Sequence, residues 1–515
     1  MKTLPTLMLT IVFHLIFGLG ITLAQAPEIE WQKSLGGSFN DGATSISQTT
    51  DGGYIMGGYS LSNDGDVTEN NGSGDYWVVK LNQTGNIEWQ KSMGGSSFEA
   101  VSSIKQTQEG GYIIAGTTES NNGDVTGNHG GQDYWIVKLD AVGNMQWHKS
   151  FGGSSDDYAE SIEQTEDAGY IVAGYSASND GDVTGNNGSI DYWIVKLSST
   201  GDLQWQKSLG GSNWDFANSI KQTSDGGYIV AGSSGSNNGD VTGNNGGDDF
   251  WIAKLNEVGN LQWQKSLGGS GNDFAQSIVQ TADGGYIIAG QSDSNNGDVT
   301  GNHGEADYWI VKLNIAGELQ WQKSLGGSLN DGARNIQQTP DGGYVIAGHS
   351  NSNDGDVTGN HGETDYWVVK LNTTGELQWQ KSLGGSSGEA AYSIKWTSDG
   401  GYIIAGLSGS TDGDISGNQG SEDCWIVKLE PDPLSLNEFD SQINIFPNPV
   451  SSVLNISANE PIKSVSVYNQ LGQEVMASSH FESTLQLDMS GLPSSLYFVE
   501  ITTDKSRESF KIIVN

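Results

Sequence analysis

The chain alternates short apolar runs with polar turns, and the whole pattern recurs every 58 residues. An uninterrupted period of this length is typical of one supersecondary unit copied in tandem. Most of the chain is therefore predicted to be a repeat array, which suits binding or scaffolding better than a single catalytic pocket. A recurrent sequence segment begins with tryptophan in each of the seven copies, at Trp31, Trp89, Trp147, Trp205, Trp263, Trp321 and Trp379.

The second copy illustrates the four strands that each repeat predicts. Residues 89–92 form a short strand, residues 102–107 alternate in polarity, and residues 112–116 follow a Gly-Gly turn. Such turns favour hairpins because glycine adopts positive φ without steric cost. After a long polar loop, residues 133–139 form the most regular strand of the unit, and no copy carries a helical period.

Four strands in each of seven copies predict an all-β fold, a seven-bladed β-propeller of 58-residue, four-stranded repeats. The propeller is expected over residues 27–430, followed by a small antiparallel β-sandwich. A β-solenoid is disfavoured because its coils are shorter and lack hairpins. The hairpin of residues 134–147 also resembles the blades of quinoprotein-like propellers, which implies the fold and no quinone site. The repeats start at 31, 89, 147, 205, 263, 321 and 379.

Strand direction places the loops of a propeller on two opposite faces. The Gly-Gly-Ser loop and the long Asp/Asn loop of each copy share what we call the loop face, and the tight turns share the turn face. A binding surface is expected on the loop face because longer loops tolerate variation. Three acidic positions recur there in every copy, such as Asp157, Asp182 and Asp191 in the third. Carboxylates at this density repel one another unless something neutralises them.

Three explanations of the acidic loops stay open. Ca²⁺ takes oxygen ligands of the kind that a glycine-interrupted Asp/Asn loop supplies, although the EF-hand spacing is absent. Alternatively, the lysines at the Lys33 and Lys80 positions of each copy neutralise the carboxylates, or the Asp and Asn side chains make turn-forming hydrogen bonds. The candidate calcium ligands are Asp64, Asp66, Asn70, Asp124, Asn128, Asp180, Asp182, Asn186, Asp240, Asn244, Asp298, Asn302, Asp354, Asp356, Asn360, Asp412, Asp414 and Asn418.

Tryptophan is unusually abundant, and fourteen of the 16 residues fall at the positions of Trp31 and Trp77 in each copy. We expect these rings to pack between neighbouring blades, although aromatic rings beside carboxylates and amides also bind sugars. Trp214 and Trp396 stand outside the repeat pattern. Trp214 belongs to a short loop of the loop face and is the ligand-facing candidate.

Charge and motifs exclude several functions. A net charge of −39 with only two arginines excludes nucleic acid as a natural partner and disfavours anionic membranes. The sequence has no metal-ligand histidine spacing, nucleophile elbow or phosphate-binding loop. A binding role is therefore favoured over an enzymatic one, with no catalytic or cofactor-binding residue assigned. Catalysis would need residues that break the sevenfold pattern, and the asymmetric polar residues are His148, His349, Arg334, His129, His303 and His361.

The N-terminus has the features of a secretory signal. Lys2 precedes an apolar stretch from residue 4 to residue 23, followed by the small residues Ala24 and Ala26. We expect a signal peptide of residues 1–24, whose removal leaves no transmembrane span in the mature chain. The single cysteine, Cys424, precludes an intramolecular disulfide and is expected to be packed and unreactive.

After Leu429 the repeat ends, and residues 431–440 form a linker to a domain at residues 441–515. Its ordered motifs resemble the type A C-terminal sorting domain of the type IX secretion system of Bacteroidota-like bacteria. The resemblance implies recognition by the type IX machinery, passage across the outer membrane and removal of the tail. The motifs are Ile445-Phe446-Pro447-Asn448-Pro449-Val450, the run from Val465 to Val475, the run from Leu487 to Pro493, Leu496-Tyr497-Phe498-Val499, and Lys511-Ile512-Ile513-Val514.

Together these features predict a secreted or cell-surface propeller that binds a glycan or another surface protein through its loop face. Its expected location is extracellular, or on the outer-membrane surface, after removal of the signal peptide and the sorting domain. Two alternatives stay open. One is an extracellular hydrolase or lyase that acts on polysaccharide, and the other is a structural surface-layer spacer.

Overall fold

All regular elements in the described part of the chain are β-strands. No helix there is long and apolar enough to cross a membrane. Contacts divide the chain into two compact units, Met1–Pro433 and Leu434–Asn515. Nearly all of the predicted signal peptide, and most of the predicted linker, lie outside the described residues. The computed structural model describes residues 23–433, 443–458, 461–470, 472–479, 482–503 and 507–515.

The first unit is a closed ring of seven four-stranded antiparallel sheets, numbered here as blades 1 to 7. The innermost strands of successive blades are neighbours around a central channel, and those of blades 7 and 1 are neighbours too. The predicted seven-bladed propeller is confirmed.

From the inner to the outer strand, blade 1 contains β2 (Asp41–Gln48), β3 (Tyr54–Ser60), β4 (Asp75–Leu81) and β5 (Ile87–Met93). Blade 2 contains β6 (Glu99–Gln106), β7 (Tyr112–Thr118), β8 (Asp133–Leu139) and β9 (Met145–Phe151). Blade 3 contains β10 (Asp157–Gln164), β11 (Tyr170–Ser176), β12 (Asp191–Leu197) and β13 (Leu203–Leu209). Blade 4 contains β14 (Asp215–Gln222), β15 (Tyr228–Ser234), β16 (Asp249–Leu255) and β17 (Leu261–Leu267).

Blade 5 contains β18 (Asp273–Gln280), β19 (Tyr286–Ser292), β20 (Asp307–Leu313) and β21 (Leu319–Leu325). Blade 6 contains β22 (Asp331–Gln338), β23 (Tyr344–Ser350), β24 (Asp365–Leu371) and β25 (Leu377–Leu383). Blade 7 contains β26 (Glu389–Trp396), β27 (Tyr402–Ser408), β28 (Asp423–Leu429) and β1 (Ile29–Leu35).

Blade and sequence repeat differ by one strand. The strand that begins each copy forms the outer edge of the preceding blade, so each sheet combines two copies. In blade 7 the outer place is taken by β1, which pairs antiparallel with β28 and sets Ser34 opposite Trp425. The first and last strands of the propeller thereby close the ring.

Aromatic side chains fill the space between neighbouring blades. Trp193 of blade 3 is fully buried against Tyr134 of blade 2, with ring centroids 4.5 Å apart, and the Tyr134 hydroxyl donates to the Trp193 carbonyl. The outer Trp147 of blade 2 packs edge-on against Tyr170 of blade 3, with centroids 5.9 Å apart. Both recurrent tryptophan positions thus pack between blades, and Cys424 is likewise buried in this packing.

The second unit is an antiparallel sandwich whose two sheets share one apolar core. Tyr497 is buried in that core, and its hydroxyl donates to the Pro493 carbonyl at 3.0 Å. The three-stranded sheet contains β29 (Ile443–Phe446), β30 (Val453–Ala458) and β33 (Thr484–Asp488). The four-stranded sheet contains β32 (Glu474–Ser479), β31 (Ser464–Asn469), β34 (Ser495–Thr502) and β35 (Arg507–Val514).

Candidate functional site

On the loop face, acidic and amide side chains tie the two loops of each blade junction together. Asp180 Oδ1 accepts the Ser154 N–H at 2.7 Å, and Asp182 Oδ2 accepts the Gly152 N–H at 3.4 Å. Within the long loop, Asn186 Nδ2 donates to a strand-end carbonyl at 3.0 Å. The predicted sharing of one face by the two loops is confirmed.

The same hydrogen bonds recur in every copy and account for all eighteen candidate calcium ligands. Turn-forming hydrogen bonding, one of the three explanations left open by the sequence, is therefore what these side chains do. Among the described residues, no group of three or more His, Cys, Asp or Glu side chains is arranged to hold a metal ion. The bonds join Asp64, Asp66, Asn70, Asp124, Asn128, Asp240, Asn244, Asp298 and Asn302, and equally Asp354, Asp356, Asn360, Asp412, Asp414 and Asn418, to backbone groups of the loops and strand ends.

The Lys80 series does not neutralise the loop-face carboxylates, and that expectation is wrong. These lysines are buried at the opposite, turn face of the ring. Lys196 Nζ pairs with Asp167 of the first hairpin turn at 2.9 Å and also donates to the Leu197 carbonyl. The series therefore fastens hairpin turns, because the side chain lies at the end of its strand farthest from the long loops.

The recurrent acid at the start of the third strand of each blade has a buried oxygen without a hydrogen-bond partner. Asp191 is 1% exposed, and its Oδ2 accepts the Asn187 N–H at 2.7 Å while its Oδ1 is unpaired. Burial, together with the carboxylates of Asp215 and Asp240, raises the pKa of Asp191 to about 7. The equivalent oxygens of Asp75, Asp133, Asp249, Asp307, Asp365 and Asp423 are unpaired too.

Three junctions place a histidine against this carboxyl group. His129 Nδ1 lies 2.7 Å from Asp133 Oδ2, and His129 Nε2 lies 3.9 Å from Asp182 Oδ2. His303 and His361 make the corresponding short contacts with the acids of their own junctions. The loop histidines are thus partners of buried acids and do not converge into one catalytic set.

Trp214, the ring singled out by the sequence, lies directly before β14 on the loop face and is 57% exposed. It borders a shallow cavity of about 310 Å³ together with Asn213, Asp248, Asn272 and several glycines. Burial raises the pKa of Asp248. An exposed aromatic face beside amide and carboxyl groups provides both the apolar contact and the hydrogen bonds that sugars require.

The central channel contains a second cavity, of about 690 Å³, lined by the inner strands. Arg334 lies there with its Cζ 5.8 Å from the Tyr392 ring centroid. Burial raises the pKa of nearby Glu160 to about 7 against the opposing effect of Arg334, and burial with Arg334 lowers the pKa of His349 to about 4. The structure thus brings together two of the asymmetric residues noted in the sequence, whereas His148 only accepts the Trp135 indole N–H at 3.3 Å.

Sequence reasoning missed the other charged residues of this channel. Lys105, Lys221 and Lys395 line the same cavity, with Glu163 beside them. The signal that could have identified them is their position in the repeat, because the other copies carry uncharged residues or glutamate at that position.

Comparison with known proteins identifies the tail. Residues 444–515 match the family described as secretion system C-terminal sorting domain. A search of curated proteins finds no match. The tail match supports export by type IX secretion to the cell surface or the extracellular space.

Solved structures similar to the chain have low sequence identity. BBS1N, solved in complex with ARL6DN, is 8% identical with a TM-score of 0.43, over 81% of this chain and 99% of that chain. PorZ, described as a surface component of the type IX secretion system of Porphyromonas gingivalis, is 10% identical with a TM-score of 0.26, over 96% and 87%. A GH43_12 protein from a capybara gut metagenome is 12% identical with a TM-score of 0.29, over 95% and 91%.

Proposed function

We propose that the exported chain is a binding propeller that recognises a neutral glycan on its loop face, in the cleft beside Trp214. The observation that carries the proposal is the 57% exposure of this ring in a cavity otherwise lined by polar groups. At the equivalent position of blade 2, Phe98 is half-buried and packs against Tyr59, with centroids 5.9 Å apart. The Trp214 ring instead lies against Phe216, with centroids 6.3 Å apart, and stays mostly exposed.

The surroundings of Trp214 favour a sugar over a protein surface. The cavity of about 310 Å³ is at the small end of ligand sites. Asn213 and Asn272 offer amide donors and acceptors, and Asp248 offers a carboxyl group. The recurrent acids nearby would repel an anionic glycan, so a neutral chain is the better match.

We further propose that the tail acts as a type A sorting signal, that it is removed after export, and that residues 1–24 are the signal peptide. The family match at residues 444–515 supports the sorting role. We also propose that the blades are of the quinoprotein-like class, on the hairpin resemblance at residues 134–147. The tail then acts as an address, and the binding activity belongs to the propeller.

The test is Trp214→Ala, measured by titration calorimetry against a panel of neutral polysaccharides. Loss of a central aromatic contact is expected to weaken binding by about tenfold or more. Phe39→Ala is the matched control, because Phe39 is 61% exposed in the short loop of blade 1 and does not line the cavity beside Trp214. Binding that Trp214→Ala leaves unchanged would refute the site.

The same panel distinguishes the alternatives. Release of reducing ends or unsaturated products would make the protein a hydrolase or lyase. If no polysaccharide of the panel is bound or cleaved and the purified chain self-assembles, the structural spacer would be favoured.

A further inference from the structure

The cations of the propeller that do not belong to its repeat pattern converge on one cavity. Residues 23–433 contain eighteen lysines and arginines, of which fourteen occupy the Lys33 and Lys80 positions of the seven copies. The remaining four are Lys105, Lys221, Arg334 and Lys395, and all of them line the central channel. Although the net charge of the chain is −39, every lysine or arginine of residues 23–433 that lies outside the repeat pattern lines this one channel.

The three lysines lie at one level of this channel, near the turn face. Lys105, Lys221 and Lys395 are each the next-to-last residue of an inner strand, β6, β14 and β26. All inner strands run from the loop face to the turn face, so the same position in each strand lies at the same depth. Arg334 precedes that position by three residues in β22, which puts it about 10 Å nearer the loop face.

The charge at this level is not balanced by the protein. Lys221 Nζ is paired with the carboxylate of Glu163. Lys395 Nζ donates to the neutral Asn335 Oδ1 at 3.0 Å, and Lys105 Nζ has no hydrogen-bond or ion-pair partner in the described part of the chain. Burial and the neighbouring ammonium groups lower the pKa of Lys105 to about 8 and depress that of Lys395 as well. The three lysines therefore share a single carboxylate at this level, that of Glu163, which pairs directly with Lys221 alone.

The channel wall next to Lys395 differs from the rest of the ring. In the other six blades the last inner-strand residue is a glutamine that accepts an N–H from the preceding blade's turn, as Gln338 does from Ala282 at 2.9 Å. In blade 7 that residue is Trp396, and the turn residue opposite is Pro340, which has no N–H to donate. Blade 7 thus lacks the glutamine acceptor and the turn N–H donor at once, so neither group is left without its hydrogen-bond partner. The Trp396 side chain instead lines the cavity.

We propose that the turn-face end of the channel binds a small anion with two or more carboxylate or phosphate groups. Lys105 and Lys395 supply its principal counter-charges, Lys221 adds a third, and the Trp396 ring flanks the ligand. The three lysines are half-buried and line this cavity. The cavity volume of about 690 Å³ suits such a molecule. This site is separate from the Trp214 cleft and does not depend on it.

The experiment titrates the purified chain with citrate and with pyrophosphate at fixed ionic strength, using calorimetry with sodium chloride as the reference. At least one probe is expected to bind, and the tighter one identifies the preferred group. Lys105→Gln and Lys395→Gln are each expected to weaken binding at least tenfold. Lys265→Gln removes the same charge from an exposed outer-strand position and is expected to change the affinity less than twofold.

Two results would overturn the proposal. One is that neither probe binds more tightly than chloride, and the other is that Lys265→Gln weakens binding as much as Lys395→Gln. The melting temperature without ligand distinguishes a role in anion binding from a role in holding the fold together. Since Lys395→Gln relieves repulsion, it is expected to raise the melting temperature in anion-free buffer. A fall there would mean that the lysine holds the fold and would also count against the proposal.

Discussion

Replacing Asp191 by asparagine tests whether the junction carboxyl groups are held as neutral acids. Asp191 is 1% exposed, its Oδ1 has no hydrogen-bond partner, and its pKa is raised from 3.8 to about 7. Because one pKa unit corresponds to about 1.36 kcal/mol, the difference disfavours the ionised folded state by about 4 kcal/mol at high pH. Asparagine keeps an acceptor for the Asn187 N–H but carries no charge. We expect Asp191→Asn to raise the free energy of unfolding by about 1–4 kcal/mol at pH 8.5.

This gain is expected to depend on pH in a definite direction. A raised folded-state pKa means that the fold favours the protonated carboxyl. The stability from that proton is complete below about pH 4 and is lost as the pH rises through about 7. The advantage of the asparagine variant should therefore shrink steadily between pH 7 and pH 4. Urea unfolding followed by tryptophan fluorescence at pH 8.5, 6.5 and 4.5 measures it.

Asp225→Asn provides a control of opposite sign. Although burial opposes it, hydrogen bonds from Thr223, Lys254 and Gly227 lower the pKa of Asp225 to about 2. That variant should lose stability to a similar degree at all three pH values, since the contribution of Asp225 disappears only as the pH falls through about 2. The reasoning is refuted if Asp191→Asn is destabilising at pH 8.5, because a charged carboxylate, and hence a bound cation, would then be required there.

Two further outcomes follow from the loop bonding and from the blade packing. Chelation with EDTA is expected to leave the melting temperature unchanged, because every candidate calcium ligand already makes a hydrogen bond; a fall that added Ca²⁺ reverses would contradict this. Gly143→Ala is expected to lower the melting temperature more than Gly110→Ala. Both glycines have positive φ, of 84° and 86°, but only at Gly143 would a Cβ meet the Trp89 ring, at 2.9 Å from Cζ3. The position equivalent to Gly110 in the third copy is already an alanine, Ala168, with φ 62°. Equal losses of melting temperature in the two variants would show that the contact with Trp89 does not contribute to the cost of the substitution.

The features of the fold that could be predicted from the sequence are those that recur within each repeat. The 58-residue period, the Gly-Gly turns and the alternation of each strand were enough for seven blades and for the loops that share a face. The pairing of β1 with β28 could not be read in the same way, because residues 31–34 have the same sequence as residues 89–92. Local sequence therefore does not distinguish the first strand from the outer strand of blade 1.

The sites were harder to predict than the fold, for two physical reasons. Composition reports charge but not burial, so the recurrent acids Asp182 and Asp191 appeared equivalent although only Asp191 is buried. The channel cations come from copies that are far apart in the sequence and meet only because the inner strands surround one axis. Trp214 is exposed, as its place in a short loop of the loop face suggested, and its role as a ligand-facing ring stays a prediction.

Closure of the ring by β1 also imposes an order in time. The partner of β1 is β28, which follows about 400 residues later in the chain. At a synthesis rate of roughly 5–20 residues per second, roughly 20–80 s separate the appearance of the two strands. During this interval β1 has no correct partner, and its Trp-Gln-Lys-Ser edge is identical to the one that β5 presents to β4. The sequence of this edge strand therefore does not distinguish its correct partner, β28, from the equivalent strand of another blade.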